Sequence, residues 1–376
     1  MLQLELKILD MDAAVNSNQI ETISFLDEKG VLSSKYKGTI DDDILIKGYK
    51  TMLLTRHIDE RMITLQRQGQ ITFALSSYGE EACSVASAAA LEMSDWIYPQ
   101  YRENGAIFWR GFTSKQYVDH MFCNVSDLIH GRQMPNHFGS RELNIVQVSS
   151  PIGSKIPHAA GCAYAMKLLK EKSVAVCYFG EGATSEGDFH VGLNFAAVRK
   201  VPAIFFCRNN HYAISTPSEQ QFASDGIAPK GIGYGIHTVR VDGNDFIAVY
   251  DVVRQARQRC IEGQGPVLIE AMTYRLGSHS TADDPTLYRS EEEFNTWVQK
   301  DPVLRLKIYL EGRGLWNDDK ENEFHAEIVK DVDEAIAEAK LKPKPSLRSM
   351  VEDVYFAVPQ ALESEYNEMV NALQKE

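Results

Sequence analysis

No run of about eighteen consecutive apolar residues occurs anywhere in the 376-residue chain, so nothing in it reads as a membrane-spanning helix. Cysteine is scarce: Cys83, Cys123, Cys162, Cys177, Cys207 and Cys260 lie far apart, with no Cys-x-x-Cys spacing. Three of them sit inside apolar runs, so free buried thiols in a reducing compartment are expected rather than a disulfide framework or a zinc site. Positive charge is in deficit, 39 Lys and Arg against 52 Asp and Glu, for a net charge of −13. Phosphate repulsion therefore excludes nucleic acid as a general partner. Internal repeats and low-complexity tracts are missing too. Met1-Leu2-Gln3-Leu4-Glu5 has neither a secretory signal's basic start and apolar core nor the Arg/Ser bias of a transit peptide. The expected location is the cytoplasm of a bacterial-type source, or the mitochondrial matrix if a leader has been removed.

What remains, 44% hydrophobic and 24% charged residues, supports one large α/β domain with additions, or two domains. Residues 1–40 are polar and weakly periodic, as expected of an arm over a surface or a partner. From Asp41 to Gly69, Ile44, Leu45, Tyr49, Met52, Leu53, Ile58, Met62 and Leu65 recur at helical spacing. A second helix is expected over Gly79–Met93, with Glu80-Glu81 at its positive end. Strands near 174–179, 203–207, 237–241 and 267–273 then alternate with helices, which predicts a doubly wound, mostly parallel sheet flanked by helices. An acidic helix over Glu321–Lys340, a Lys342-Pro343-Lys344-Pro345 break and a last helix over Pro359–Lys375 follow. The resulting division is an arm at 1–40, an α/β domain at 41–320 and a helical extension at 321–376.

The chemistry concentrates where the apolar run Val174–Phe179 ends in Gly180-Glu181-Gly182. Two glycines able to take positive φ let backbone N–H groups approach an anion, with one carboxylate between them. Ser185 can cap a helix whose Phe189, Leu193, Ala196 and Ala197 share one face, and Ala203–Cys207 reads as the next buried strand, ending at Asn209-Asn210. Two neighbouring parallel strands thus deliver Glu181 and Asn210, 29 positions apart (210 − 181), to one crevice beside a helix N-terminus. Hard oxygen ligands of this kind suit Mg²⁺, which shares its coordination with phosphates and water.

This block resembles the thiamine-diphosphate motif, with Glu where Asp is commoner, and the chain is similar over roughly residues 40–360 to the alpha subunits of 2-oxo acid dehydrogenases. The resemblance implies the thiamine-diphosphate-binding fold, and Mg²⁺ held by Glu181, Asn210 and the main-chain carbonyl of Tyr212. It implies cofactor contacts from Gly180, Gly182 and Ala183, and diphosphate contacts from Tyr101, Arg102, Arg208, His279 and, more weakly, Arg275. In Ser149–Pro157, a plain Ser/Gly/Pro turn by composition, Ser150 and Ile152 take the positions that clamp the cofactor's ring. His279 stands near the reacting carbon, where imidazole can move a proton. His137 is placed near a substrate carboxylate, or is a satisfied core histidine. Lys155 stands where relatives carry an amide that helps bind K⁺, so its ammonium replaces the ion or else points to solvent. His211 is expected to face solvent. Ser280 and Ser290 match positions phosphorylated in animal relatives; without a kinase, their loop is simply polar.

Gly69–Phe73, Ser76–Glu81 and Cys207–Asn210 resemble the branched-chain subunits most, with Phe73 and Tyr101 on the substrate side. The implied activity is decarboxylation of a branched-chain 2-oxo acid with transfer of the acyl group to a lipoyl carrier. The carboxylate that activates the cofactor's pyrimidine belongs, in two-chain relatives, to a beta subunit, so an α₂β₂ assembly working on a lipoyl-bearing acyltransferase core is implied. Pyruvate or acetoin dehydrogenase alpha subunits are the sister alternatives. A non-catalytic interaction subunit is the alternative of another class, which loss of Glu181, Asn210 or His279 would have signalled.

Overall fold

The computed structural model describes residues 20–374. The chain's centre is a six-stranded parallel sheet of β1 (Thr22–Ile23), β2 (Trp96–Tyr98), β3 (Ala175–Gly180), β4 (Ala203–Asn209), β7 (His237–Asp242) and β8 (Val267–Met272). A small antiparallel hairpin, β5 (Tyr212–Ala213) and β6 (Thr216–Pro217), follows β4. Across the sheet the order is β1-β7-β8-β4-β3-β2, with every ladder parallel. All strands therefore end on the same edge, and the jump from β4 over β8 to β7 opens a crevice there.

Both faces are covered, as parallel sheets require. Alternation along β3 and β4 divides the core: Val176, Tyr178, Ile204 and Phe206 face one layer, and Cys177, Phe179, Phe205 and Cys207 the other. The first layer receives the helix Asp42–Arg67 through Leu45, Tyr49, Met52, Ile58, Met62 and Leu65, the stripe that periodicity predicted. The second receives the helices Lys155–Leu169 and Gly187–Arg199 through residues such as Ile156, Phe189 and Leu193. Ala197, expected on that buried face, is half-buried.

Several local expectations change. The helix predicted from Gly79 spans only Glu81–Ala89. Ser185 does not cap the helix after β3; a 3₁₀ turn over Glu181–Ser185 intervenes, and Glu186 precedes the first helical residue, Gly187. Neither motif glycine takes positive φ: Gly180 has φ −86°, and Gly182 is absent from the left-handed positions. Gly182 is required for closeness instead, because a Cβ there would stand 2.8 Å from that of Ala213.

Part of the expected arm, Thr22–Ile23, joins the sheet. β1 pairs with Arg240 and Val241, Leu26 is buried, and Asp245 accepts hydrogen bonds from the backbone N–H groups of Phe25 (2.6 Å) and Leu26 (2.7 Å) while capping Phe246–Ile261. Residues 1–19 of the expected arm lie outside the described residues. The acidic helix spans Asp318–Leu341, capped by Asn317, and buries Ile328, Val332 and Ile336 in the same core as Asp42–Arg67. The last helix is Gln360–Leu373, and Lys375 lies outside the described residues. All six cysteines are free, Cys83, Cys177, Cys207 and Cys260 being buried.

Candidate active site

Four adjacent strands end at one cleft of about 880 Å³, its mouth included. After β2 come Tyr101 and Arg102; after β3, Glu181, Gly182 and Ala183; at the end of β4, Arg208 and Asn210; after β8, Arg275 and His279. Gly180, Ser150, Ile152 and Tyr212 complete the expected wall. Segments up to 178 positions apart (279 − 101) meet here because a parallel sheet aligns its carboxyl ends.

Glu181 and Asn210 come together: the Asn210 N–H donates to Glu181 Oε2 at 3.3 Å. Gln221 Nε2 donates to Glu181 Oε1 at 3.4 Å. With 1% of its surface exposed and only these long bonds from neutral donors, the carboxylate lacks a cationic partner among the described residues. Burial accordingly pushes its pKa above the ordinary glutamate value. Asn210 Oδ1 accepts from the Tyr212 N–H at 3.2 Å, and the Tyr212 carbonyl takes only a 3.5 Å bond from Arg275. Three oxygens of the hard-ligand type thus share one corner. No three His, Cys, Asp or Glu side chains form a ready metal centre among the described residues, so oxygen from a bound ligand has to complete the shell of any cation held here.

Opposite stands an excess of positive charge. Arg102, 2% exposed, donates to the carbonyls of Ser76 and His279, each at 2.5 Å. Arg275, 1% exposed, donates to the Ile214 carbonyl (2.7 Å) and the Tyr288 hydroxyl (3.1 Å), while its buried Nε has no partner among the described residues. None of these partners is an anion. Burial and the neighbouring arginines push the Arg102 pKa down to about 10, which still leaves it charged at neutral pH. Two desolvated guanidiniums of this kind suit a multiply charged anion such as a diphosphate.

His279 lies between them. Its Nδ1 is 3.1 Å from Arg102 Nη2 and 3.4 Å from Arg275 Nη1, both obligate donors, so Nδ1 is the acceptor and the proton resides on Nε2. Burial first, then the two arginines, push its pKa down to about 3. The ring is neutral, a donor rather than a ready acid, until an anion offsets those charges. Its backbone N–H is fixed by Asp283 at 2.6 Å, and the Tyr101 ring stands edge-on at 6.2 Å.

Other expected residues sit differently. Arg208 lines the cleft, but its Nη1 pairs with Glu80 and its Nε with Glu103 at 2.6 Å, so its charge is already answered. His137 is buried and not on the wall: one ring nitrogen faces the Pro135 carbonyl (3.0 Å) and the other the Ser150 hydroxyl (2.7 Å). Being so engaged, it supports Ser150 rather than facing the cleft. Phe73 is half-buried and does not line the cleft. His211 is not solvent-facing; it is half-buried, 5.5 Å from the Trp297 ring, with Nε2 lacking a partner. Lys155 opens the helix Lys155–Leu169 half-buried, and desolvation lowers its pKa.

Sequence reasoning missed Glu80 and Glu103. Adjacent acids such as Glu80-Glu81 at a helix start read as charges favouring the dipole. Glu81 instead pairs with Arg56 (2.7 Å), and Glu103 reaches across 105 positions to Arg208. Glu103 directly follows Arg102 in the sequence, but no arginine adjoins Glu80 to mark it.

The profile of the dehydrogenase E1 component family matches residues 49–348. The mitochondrial 2-oxoisovalerate dehydrogenase alpha subunit of Caenorhabditis elegans is 48% identical over 341 residues, 90% of this chain and 79% of that protein. The protein of the same name from Dictyostelium discoideum is 49% identical, covering 89% of this chain and 77% of its own length. That of Homo sapiens is 46% identical, covering 88% and 74% respectively.

Proposed function

The chain belongs to the dehydrogenase E1 component family, as an alpha subunit of the branched-chain 2-oxo acid dehydrogenase type, and from that premise we propose that its cleft holds thiamine diphosphate with Mg²⁺. One observation carries this reading: among the described residues, Arg102 and Arg275 are buried without an ion-paired acid and Glu181 is buried without a cation. A metal-bound diphosphate answers both. Glu181, Asn210 and the Tyr212 carbonyl would hold the cation, and Arg102, Arg275 and His279 the diphosphate, with Arg208 at the wall. Tyr101, Ser150, Ile152, Gly180, Gly182 and Ala183 would shape the remaining space.

When bound, the cofactor supplies the carbon nucleophile and electron sink that decarboxylation of a 2-oxo acid requires. This chain's own residues fix the diphosphate, exclude water from its buried end and keep the His279 proton on Nε2. His279 is the catalytic residue of this half-site; His137 acts through Ser150. Substrate contact falls to Tyr101 rather than Phe73, and an apolar site separates 2-oxo acids differing by a methylene by only about 1–3 kcal/mol.

The site's other half comes from a beta subunit in an α₂β₂ assembly, which passes acyl groups to a lipoyl-bearing acyltransferase core. The assembly works where that core is found, in the mitochondrial matrix for a source with mitochondria and in the cytoplasm for a bacterial one. Co-expression with the beta subunit, followed by dye-coupled rates on 4-methyl-2-oxopentanoate and on pyruvate, tests the proposal. The assembly should prefer the branched acid and the isolated chain should be inactive. Faster turnover of pyruvate would move the chain to the sister enzymes, and appreciable activity of the chain alone would refute the shared site.

A further inference from the structure

Glu80 is buried to 1% exposure and has been given no role toward cofactor or substrate, yet it bonds to two residues of the cleft. It directly precedes the helix Glu81–Ala89, following Gly79 at φ +92°. Its Oε1 accepts from Asn210 Nδ2 at 2.6 Å, and its Oε2 accepts from Arg208 Nη1. We propose that Glu80 is a positioning residue which, by holding the amide nitrogen of Asn210, ensures that a cation in the cleft meets that amide's oxygen and never its NH₂ group. The inference rests on the cation site proposed above.

The oxygen and nitrogen of an amide are nearly equal in size, so packing alone cannot choose between the two orientations. Hydrogen-bond polarity can, because an ionised carboxylate only accepts and therefore selects the NH₂. The buried ion pair of its other oxygen with the Arg208 guanidinium, an obligate donor, fixes Glu80 as an acceptor on both sides. Asn210 Oδ1 is left with one lone pair on the Tyr212 N–H and one for a ligand. The neighbouring residue shows the same device without the cleft. Asn209 gives its Nδ2 to the buried Glu270 at 2.8 Å and accepts from the His211 N–H, but only Asn210 lines the cavity.

The test titrates Mn²⁺ into the α/β assembly with thiamine diphosphate present and reads free Mn²⁺ by electron paramagnetic resonance. Glu80→Gln is isosteric and should weaken Mn²⁺ binding by about 10- to 100-fold, the usual effect of losing a residue that orients a metal ligand. Glu103→Gln loosens Arg208 without touching Asn210 and should leave Mn²⁺ binding close to wild type. The double variant Glu80→Gln/Asn210→Asp should recover most of the loss, since a carboxylate presents oxygen on both sides and the new amide can donate to it. Unchanged binding in Glu80→Gln, an equal loss in Glu103→Gln, or no recovery in the double variant would each overturn the assignment. Absence of Mn²⁺ binding by the wild-type assembly would instead sink the cofactor reading.

Discussion

Replacing Glu181 with Gln should make the ligand-free protein more stable and the loaded protein less so. The carboxylate is 1% exposed and accepts only two long bonds, at 3.3 and 3.4 Å, from uncharged donors. A buried polar group left unsatisfied costs about 1–3 kcal/mol, and more when charged. The amide keeps the shape and removes the charge, while the partnerless Gln221 Oε1 can accept its new N–H. A gain of roughly 1 kcal/mol or more is therefore expected without ligand. Its pH dependence fixes the sign. Because burial raises the folded pKa of Glu181 above its ordinary 4.5, the folded state binds the proton more tightly, and wild-type stability falls as pH rises from 4.5 through that folded value. The advantage of the variant should thus be present above that window and vanish below it. With ligand the order reverses: Mg²⁺ and cofactor at 100 times Kd stabilise wild type by about 2.7 kcal/mol, and the variant, lacking the cation's carboxylate, should gain little. Thermal unfolding of the assembly with and without Mg²⁺ and thiamine diphosphate measures both arms. A ligand-free variant less stable than wild type, or one that keeps the Mg²⁺-dependent rise, would refute the reasoning.

Cofactor binding should take up protons near pH 6, because an anion between Arg102 and Arg275 returns the His279 pKa from about 3 toward its ordinary 6.5; calorimetry in two buffers of different ionisation enthalpy reads this, and zero uptake rejects it. Gly182→Ala should destabilise by about 1–3 kcal/mol and weaken cofactor binding, since its Cβ would meet that of Ala213 at 2.8 Å; an unchanged melting point would count against it. Ser150→Ala removes the hydroxyl partner of His137 and should weaken cofactor binding several-fold, about 1 kcal/mol, with little change in stability. If the Lys155 ammonium stands in for K⁺, melting points in K⁺ and Na⁺ should agree, and a large K⁺-specific rise rejects the substitution.

Much of the fold is local in origin and could be read directly. The stripe from Leu45 to Leu65, the apolar runs at Val174 and Ala203, and the strand–helix alternation each follow from a periodicity confined to one element, and a parallel sheet is what such elements can build. Glu181 and Asn210 were legible because each directly follows a strand, where side chains of a parallel sheet converge; Arg102 and His279, four and seven residues past β2 and β8, were marked by the resemblance alone. The arrangement of charge in the cleft was not. Whether an arginine is answered by an acid depends on segments brought side by side from distant parts of the chain, so Glu80 and Glu103 on Arg208, and the lack of an ion-paired acid on Arg275 among the described residues, emerge only after folding. The sequence alone determined which elements form and which residues end them. Tertiary structure decided which buried charges are left unanswered, because burial and pairing are properties of the space between elements.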